Sequence, residues 1–170
     1  ANFCFRTGLS AYDTEPLFTK NMLVYEGRYY LVGEGHKTYT AEKTLDEDYY
    51  ILTLAAIAME LNRDHLTEAD VYLSAGLPLS WVLEQKDAYL AYLLKKQEVD
   101  FLFKGEQYKI RVVGADILPQ GYAAIADKLD GLKGMTLLCD IGNGTMNLMY
   151  LRDGDAIPDK MYTENFGTQQ

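Results

Sequence analysis

The feature that most constrains this chain is an apolar run, Met135–Cys139, that leads directly into Asp140-Ile141-Gly142-Asn143-Gly144-Thr145. A strand that delivers a carboxylate into a glycine-rich turn can bring backbone amides close to an anion, because glycine has no Cβ to hold the anion away. Asp140 can hold a cation directly or through water, and Thr145 adds a hydroxyl donor. The pattern therefore predicts a loop that cradles a phosphate and its Mg²⁺.

The same segment is also typical of an ordinary β-hairpin. Asn143-Gly144 lies between two β-forming runs, Met135–Cys139 and Asn147–Leu151, and this dipeptide is a strong turn signal. By local pattern alone the plain hairpin is favoured. A phosphate loop can itself be a hairpin, so the two interpretations are compatible.

The rest of the chain alternates between hairpin and helix signals. Two glycine-containing turns, Glu26-Gly27 and Lys104-Gly105, separate β-forming runs and predict hairpins. A capping-box pattern from Thr44 to Glu47 precedes apolar residues at helical spacing and predicts a helix that ends near Asn62. These signals imply an α/β fold with a mixed sheet flanked by helices. The other predicted elements are a mostly irregular opening over Asn2–Lys20, a buried strand over Asp70–Ala75, a helix from Leu79 to about Lys96 and a short helix over Tyr122–Leu129.

Composition limits the class of protein. The 170 residues suit one domain, and the hydrophobic share of 48% and the charged share of 24% are ordinary for a globular protein. The net charge of −9 provides no general electrostatic attraction for a phosphate backbone, so direct nucleic-acid binding is not expected. No stretch is long enough to cross a bilayer, so no membrane partner is expected.

The cysteines and the first residues indicate a reducing compartment. Cys4 and Cys139 are far apart and form no CxxC pair, and Cys139 lies in an apolar run where a buried, reduced thiol is expected. The segment Ala1–Arg6 is too short and wrongly patterned for a signal peptide. A cytoplasmic location is therefore expected.

Several segments in sequence order resemble the plasmid-segregation actin-like proteins, the ParM or StbA group of the superfamily that includes actin, heat-shock-70 proteins and sugar kinases. Asp140–Thr145 is similar to the second phosphate loop of that superfamily. Each segment is a weak signal alone, but their order and spacing make the match specific. The segments are Tyr29–Gly35, Val71–Pro78, Ile117–Ala123 and Leu137–Thr145, and together they span most of the chain.

The resemblance implies the ribonuclease-H-like half of an actin-like ATPase fold. It further implies a protein that hydrolyses ATP with Mg²⁺, self-associates into filaments and moves plasmid or conjugative-element DNA, with a DNA-binding adaptor protein as a partner. Phosphoryl transfer depends on positioning and charge stabilisation, which suits a neutral Gln as the residue that orients water. The implied site residues are Gln120 for the attacking water, Asp140 for Mg²⁺ and ATP, and Gly142, Asn143, Gly144 and Thr145 for phosphate.

The chain also departs from the family pattern. The first phosphate loop, an Asp-x-Gly motif, and the second domain are missing. We therefore expect residues 1–170 to be a partial nucleotide-binding domain I. We expect the parent protein to be an ATPase and this part of it to be inactive alone. The loop has Gly-Asn-Gly where relatives often have Gly-Gly-Gly or Gly-Gly-Thr. Because Asn tolerates positive φ, this difference is compatible with a phosphate loop.

Two other functions stay open. One is a phosphotransferase of the sugar- or acetate-kinase type, which requires a substrate pocket with specific polar groups that the sequence does not mark. The other is a non-catalytic actin-like module that binds partners, which the missing first phosphate loop favours. Without the resemblance, Gln120 is best explained as a helix-start residue after Pro119.

Overall fold

The computed structural model describes residues 5–17, 19–34, 44, 46–142 and 144–168. Within these ranges no helix is both long and apolar enough to span a lipid bilayer. In chain order the elements are β1 (Leu9–Tyr12), β2 (Met22–Tyr25), β3 (Arg28–Val32), α1 (Asp48–Arg63), β4 (Glu68–Leu77), a 3₁₀ turn (Leu79–Trp81), α2 (Val82–Leu93), β5 (Glu98–Phe103), β6 (Glu106–Pro119), a 3₁₀ helix (Tyr122–Gly131), β7 (Met135–Ile141), β8 (Met146–Arg152) and β9 (Asp155–Glu164).

The strands form two sheets, one in the order β1-β3-β2-β5-β6-β4 and the other in the order β7-β8-β9. From β1 to β6 the neighbours in the first sheet are antiparallel. β4 is parallel to β6, because Lys109 N–H donates to the Thr67 carbonyl while Gln120 N–H donates to that of Leu77, so residue numbers rise together along both strands. The first sheet is therefore mixed, as predicted.

The chain divides into two compact units. The first comprises Ala1–Leu73 and Ala91–Ala115, and the second comprises Ser74–Leu90 and Asp116–Gln170. In the first unit α1 packs against β2, β3 and β5. The buried side chains of α1 are Tyr50, Ile51, Leu52, Leu54, Ala55, Ile57 and Ala58, which recur at the helical spacing of an amphipathic face.

The second unit is built on the antiparallel sheet β7-β8-β9. Its core contains Leu79, Met149 and Leu151, all almost fully buried. The 3₁₀ helix contributes Ile125 and Leu129 to the same cluster. This core therefore fixes the 3₁₀ turn and the 3₁₀ helix onto one face of the small sheet.

The capping-box prediction for α1 is wrong. α1 begins after Glu47, whose side chain makes no cap hydrogen bond. Instead, Tyr50 N–H donates to the Tyr92 hydroxyl at 2.8 Å, and this hydroxyl donates to the Asp46 carbonyl at 2.9 Å. A side chain distant in sequence thus satisfies one of the amides that every helix start leaves open.

Other predictions need smaller corrections. The strand predicted to be buried over Asp70–Ala75 is longer and alternates in exposure, with the Tyr72 side chain 60% exposed. The helix predicted to reach Lys96 ends at Leu93. β1 lies in a segment predicted to be irregular, and β9 was not predicted at all.

Candidate functional site

The loop that follows β7 is a hairpin connection, as the sequence predicts. β7 and β8 pair in continuous register from Met135↔Arg152 to Ile141↔Met146. Gly142 N–H then donates to the Thr145 carbonyl at 2.8 Å, which closes the loop. The pairing places Asp140 beside the loop and directly opposite Asn147 on β8.

The Asp140 side chain lies against Gly121, the residue that precedes the 3₁₀ helix. A Cβ placed on Gly121 would be 3.0 Å from the Asp140 Cβ and 3.3 Å from its Oδ2, and the Gly121 φ is +81°. Both the crowding and the left-handed backbone require glycine at this position. The half-buried Asp140 carboxylate is therefore held between the loop and the end of β6.

Gln120 is fixed next to that contact by two hydrogen bonds to the end of β4. Its backbone N–H donates to the Leu77 carbonyl at 2.8 Å, and its side-chain Nε2 donates to the Gly76 carbonyl at 3.4 Å. A Cβ on Gly76 would come within 3.0 Å of the Gln120 Cγ, so glycine is needed for this close approach. Gln120 immediately precedes Gly121, and Gly121 lies against the Asp140 side chain. Gln120 and Asp140 are therefore neighbours within the second unit.

Two further polar residues belong to this neighbourhood and were missed by the sequence analysis. Asn147 is only 4% exposed, and its Oδ1 accepts hydrogen bonds from Leu79 N–H at 3.3 Å and from the Thr163 hydroxyl at 2.8 Å. The Thr163 hydroxyl in turn accepts from Ser80 N–H at 3.1 Å. An Asn in a strand carries no local signal for such a role, and only its register opposite Asp140 could have indicated it.

The remaining predicted phosphate ligands lie in the loop itself. Thr145 is buried, with 7% exposure, and the Gly142 carbonyl accepts a hydrogen bond from Thr168 N–H at 3.1 Å. Gly144 lies between them in the same turn, and Asn143 falls outside the described residues. The loop thus brings Asp140, Gly142, Gly144 and Thr145 together, within the unit that also holds Gln120.

The prediction of a buried Cys139 is wrong. Alternate residues of β7 point to opposite faces, and Cys139 is on the face opposite to Asp140, where its side chain is exposed. Met135, Leu137 and Ile141 share that exposed face, each at least half exposed. Cys4 falls outside the described residues.

The donor set at Asp140 suits Mg²⁺ bound together with phosphate. Among the described residues no group of three or more His, Cys, Asp or Glu side chains is arranged to hold a metal ion. Mg²⁺ is commonly held by one or two carboxylates, with water and substrate phosphate oxygens completing its shell. A single half-buried carboxylate beside a glycine-rich loop fits this mode and does not fit a metal cage built from protein side chains alone.

The family model described as the N-terminal domain of actin like proteins matches residues 3–122. A search of curated protein sequences finds no significant match. Among solved structures, similarity extends to apo ParM of pSK41 (16% identity, TM-score 0.74, covering 98% of this chain and 60% of that one).

Two other solved structures extend the comparison. One is a filament of AlfA from B. subtilis plasmid pLS32 (19% identity, TM-score 0.72, 96% of this chain and 63% of that one). The other is an archaeal actin homologue in complex with ADP (18% identity, TM-score 0.64, 86% of this chain and 51% of that one). At identities this low, the TM-scores establish a shared fold and nothing more. This chain spans less than two thirds of the length of each of the three relatives.

Proposed function

This chain belongs to the family of actin-like proteins, because the family model of their N-terminal domain matches most of it. We propose that it is part of a Mg-ATP-dependent protein that forms filaments and segregates plasmid or conjugative-element DNA. The observation that carries the proposal is the meeting of Asp140, Gln120 and the glycine-rich loop in one compact unit. The relatives that are a plasmid filament and an ADP complex support filament assembly and nucleotide binding.

In this proposal the loop residues and Asp140 bind the charged end of ATP. The Gly144 amide donates to phosphate oxygens, and the Thr145 hydroxyl adds a donor. Gly142, whose own N–H closes the loop on the Thr145 carbonyl, lets the phosphate approach the backbone because it has no Cβ. Asn143, outside the described residues, is the remaining phosphate ligand of the proposal. When bound, Mg²⁺ neutralises negative charge on the phosphates. The Asp140 carboxylate holds this ion, directly or through water, and its own position is fixed by the contact with Gly121.

Gln120 positions the water that attacks the terminal phosphate. Its side-chain amide nitrogen already donates to the Gly76 carbonyl, so the amide plane is held and its oxygen can accept a hydrogen bond from water. A neutral amide is a poor base, but phosphoryl transfer depends more on the position of the nucleophile than on removal of its proton. Gln120 therefore acts by orientation.

The proposed partners follow from filament assembly and from charge. The protein self-associates into a filament, and with a net charge of −9 on these 170 residues it reaches DNA through an adaptor protein that binds DNA itself. A cytoplasmic location belongs to the same proposal. The catalytic activity is a property of the whole protein that carries this chain.

The test compares phosphate release and filament pelleting in the whole protein. Gln120→Ala is expected to lower the hydrolysis rate by about 10²-fold, the cost of a misplaced reactant, while ATP-dependent pelleting persists. Asp140→Ala is expected to abolish ATP binding and pelleting together. Two exposed residues, Gln97 and Asp159, supply matched controls as Gln97→Ala and Asp159→Ala, which should behave as wild type.

The same assay separates the proposed function from its rivals. A wild-type protein that binds ATP and transfers phosphate to a small-molecule acceptor without pelleting would be a phosphotransferase of the kinase type. A wild-type protein that neither binds ATP nor pellets would be a partner-binding module, and Asp140–Thr145 would then be only a hairpin connection. Either result contradicts the proposal.

A further inference from the structure

The 3₁₀ turn Leu79–Trp81 is anchored by side chains from the small sheet. The first amides of any helical turn lack partners within the turn and need acceptors from elsewhere. Pro78, the residue before the turn, supplies no side-chain cap. Asn147 and Thr163 supply the acceptors for Leu79 N–H and Ser80 N–H. Because Asn147 and Thr163 are paired across β8 and β9, the anchor is part of the sheet.

This anchor closes a ring of contacts around the candidate site. Asn147 faces Asp140 in the register of β7 and β8. From Leu79 the chain leads back through Pro78 to the carbonyls of Leu77 and Gly76, which hold Gln120. The last step runs from Gln120 to the adjacent Gly121, which lies against the Asp140 side chain.

We propose that Asn147, supported by Thr163, is a positioning residue that sets the spacing between Gln120 and Asp140. The inference rests on the proposed function, because it gives that spacing a catalytic meaning. Asn147 acts through the 3₁₀ turn and the end of β4, and Thr163 holds the Asn147 oxygen in place. One atom, Asn147 Oδ1, accepts both hydrogen bonds, so a single substitution opens the ring.

The effect on catalysis is expected to be large because reaction geometry is sensitive to small displacements. A misplacement of about 1 Å from a mutation far from the chemistry can lower a rate by about 10²-fold. Nucleotide affinity should change little, since the loop keeps its own closing bond between Gly142 N–H and the Thr145 carbonyl. The signature of a positioning role is therefore a fall in kcat with the Kd for ATP preserved.

The test uses one disruptive substitution at Asn147 and a matched pair at Thr163 in the whole protein. Asn147→Ala removes the acceptor of both hydrogen bonds. Thr163→Val removes the hydroxyl at nearly constant shape, whereas Thr163→Ser keeps it. Asn147→Ala and Thr163→Val are expected to lower kcat by about 10- to 100-fold. Thr163→Ser is expected to retain most of the wild-type kcat.

A second measurement probes the ring without relying on hydrolysis. Gln120 N–H is bonded to the Leu77 carbonyl, so its hydrogen-exchange rate reports whether the end of β4 stays in place. Opening the ring should raise that rate about ten-fold in Asn147→Ala and in Thr163→Val, the loss of roughly one hydrogen bond. Two variants are used so that a folding failure of one leaves the other to decide.

The outcomes separate the two proposals. The positioning role is overturned if Gln120 exchange stays at the wild-type rate in Asn147→Ala and Thr163→Val, or if Thr163→Ser loses as much kcat as Thr163→Val. If wild type hydrolyses ATP and Asp140→Ala does not, but Asn147→Ala retains full kcat, the proposed function stands and the positioning role fails. If wild type does not hydrolyse ATP, the proposed function fails, and the positioning role fails with it.

Discussion

The geometry of the candidate site depends on a glycine at position 121. The Gly121 φ of +81° would strain any other residue, and a Cβ would come within 3.0 Å of the Asp140 Cβ, so the Asp140 side chain would have to shift. The contact joins a residue after β6 to a residue at the end of β7, so two distant parts of the sequence depend on one missing side chain. A change at Gly121 therefore affects both the fold and the position of the proposed Mg²⁺ ligand.

Gly121→Ala should lower the free energy of unfolding by about 1–3 kcal/mol, the usual cost of holding a non-glycine residue in a rare backbone conformation. It should also weaken ATP binding, because the Asp140 side chain must move. Gly131→Ala is the matched control, since a Cβ there meets nothing within 4 Å. Urea denaturation and ATP titration of both variants check this, and equal stability of the two would contradict it.

Sequence reasoning predicts the chemical groups of the candidate site but not the residues that support them. Asp140 and Gln120 were predicted from a motif and a resemblance, and the structure places Asp140 against Gly121, the residue that follows Gln120. Asn147 and Thr163 were not identified, because their role depends on the register of three strands and on where the 3₁₀ turn docks. Such pairings are set by tertiary packing, which a local pattern does not encode.

At the scale of elements, the sequence predicts best where turn chemistry is local. The hairpins at Glu26-Gly27 and Lys104-Gly105 are confirmed, because their short glycine turns dictate antiparallel pairing. β9 was missed because it contains Pro158 and shows no clear alternation. Its pairing with β8 is interrupted between Ala156 and Met161, which accommodates a residue that cannot donate to a ladder.

The start of α1 gives a prediction at this scale. Tyr92→Phe removes the hydroxyl that accepts from Tyr50 N–H and donates to the Asp46 carbonyl, while the ring is retained. The loss should resemble removal of a helix cap, about 1 kcal/mol of unfolding free energy. Tyr12→Phe, on an exposed side chain of β1, is the control and should be neutral. If both variants unfold at the same urea concentration, the Tyr92 hydroxyl does not cap α1.

For the whole molecule, the predicted actin-like α/β fold with a mixed sheet is confirmed. The assignment of residues 1–170 to one partial nucleotide-binding domain stays a prediction, and the chain itself divides into two compact units. The larger core, in the first unit, is rich in buried tyrosines, among them Tyr25, Tyr30, Tyr50 and Tyr108. Burial raises the pKa of each of these four hydroxyls above its usual value.

These tyrosines make the first unit sensitive to alkali. In the unfolded chain tyrosine ionises near pH 10, whereas the folded state keeps these hydroxyls neutral, so their contribution to stability is complete below about pH 10 and is lost as the pH rises further. Urea midpoints measured across this range should therefore fall above about pH 10. Tyr108→Phe, which keeps the ring stacked on Phe101, should make the fall shallower than in wild type. An equal slope in the two proteins would contradict the raised pKa of Tyr108.

In the proposed function, Asp140 and the adjoining loop hold Mg²⁺ and the phosphates of ATP. The most direct measurement is the Kd for ATP with and without Mg²⁺ in the whole protein, for wild type, Asp140→Asn and Asp159→Asn. We expect Mg²⁺ to tighten ATP binding in wild type and in Asp159→Asn, and we expect this dependence to disappear in Asp140→Asn. If Asp140→Asn shows the same Mg²⁺ dependence as Asp159→Asn, Asp140 is not the metal ligand and the site must lie elsewhere.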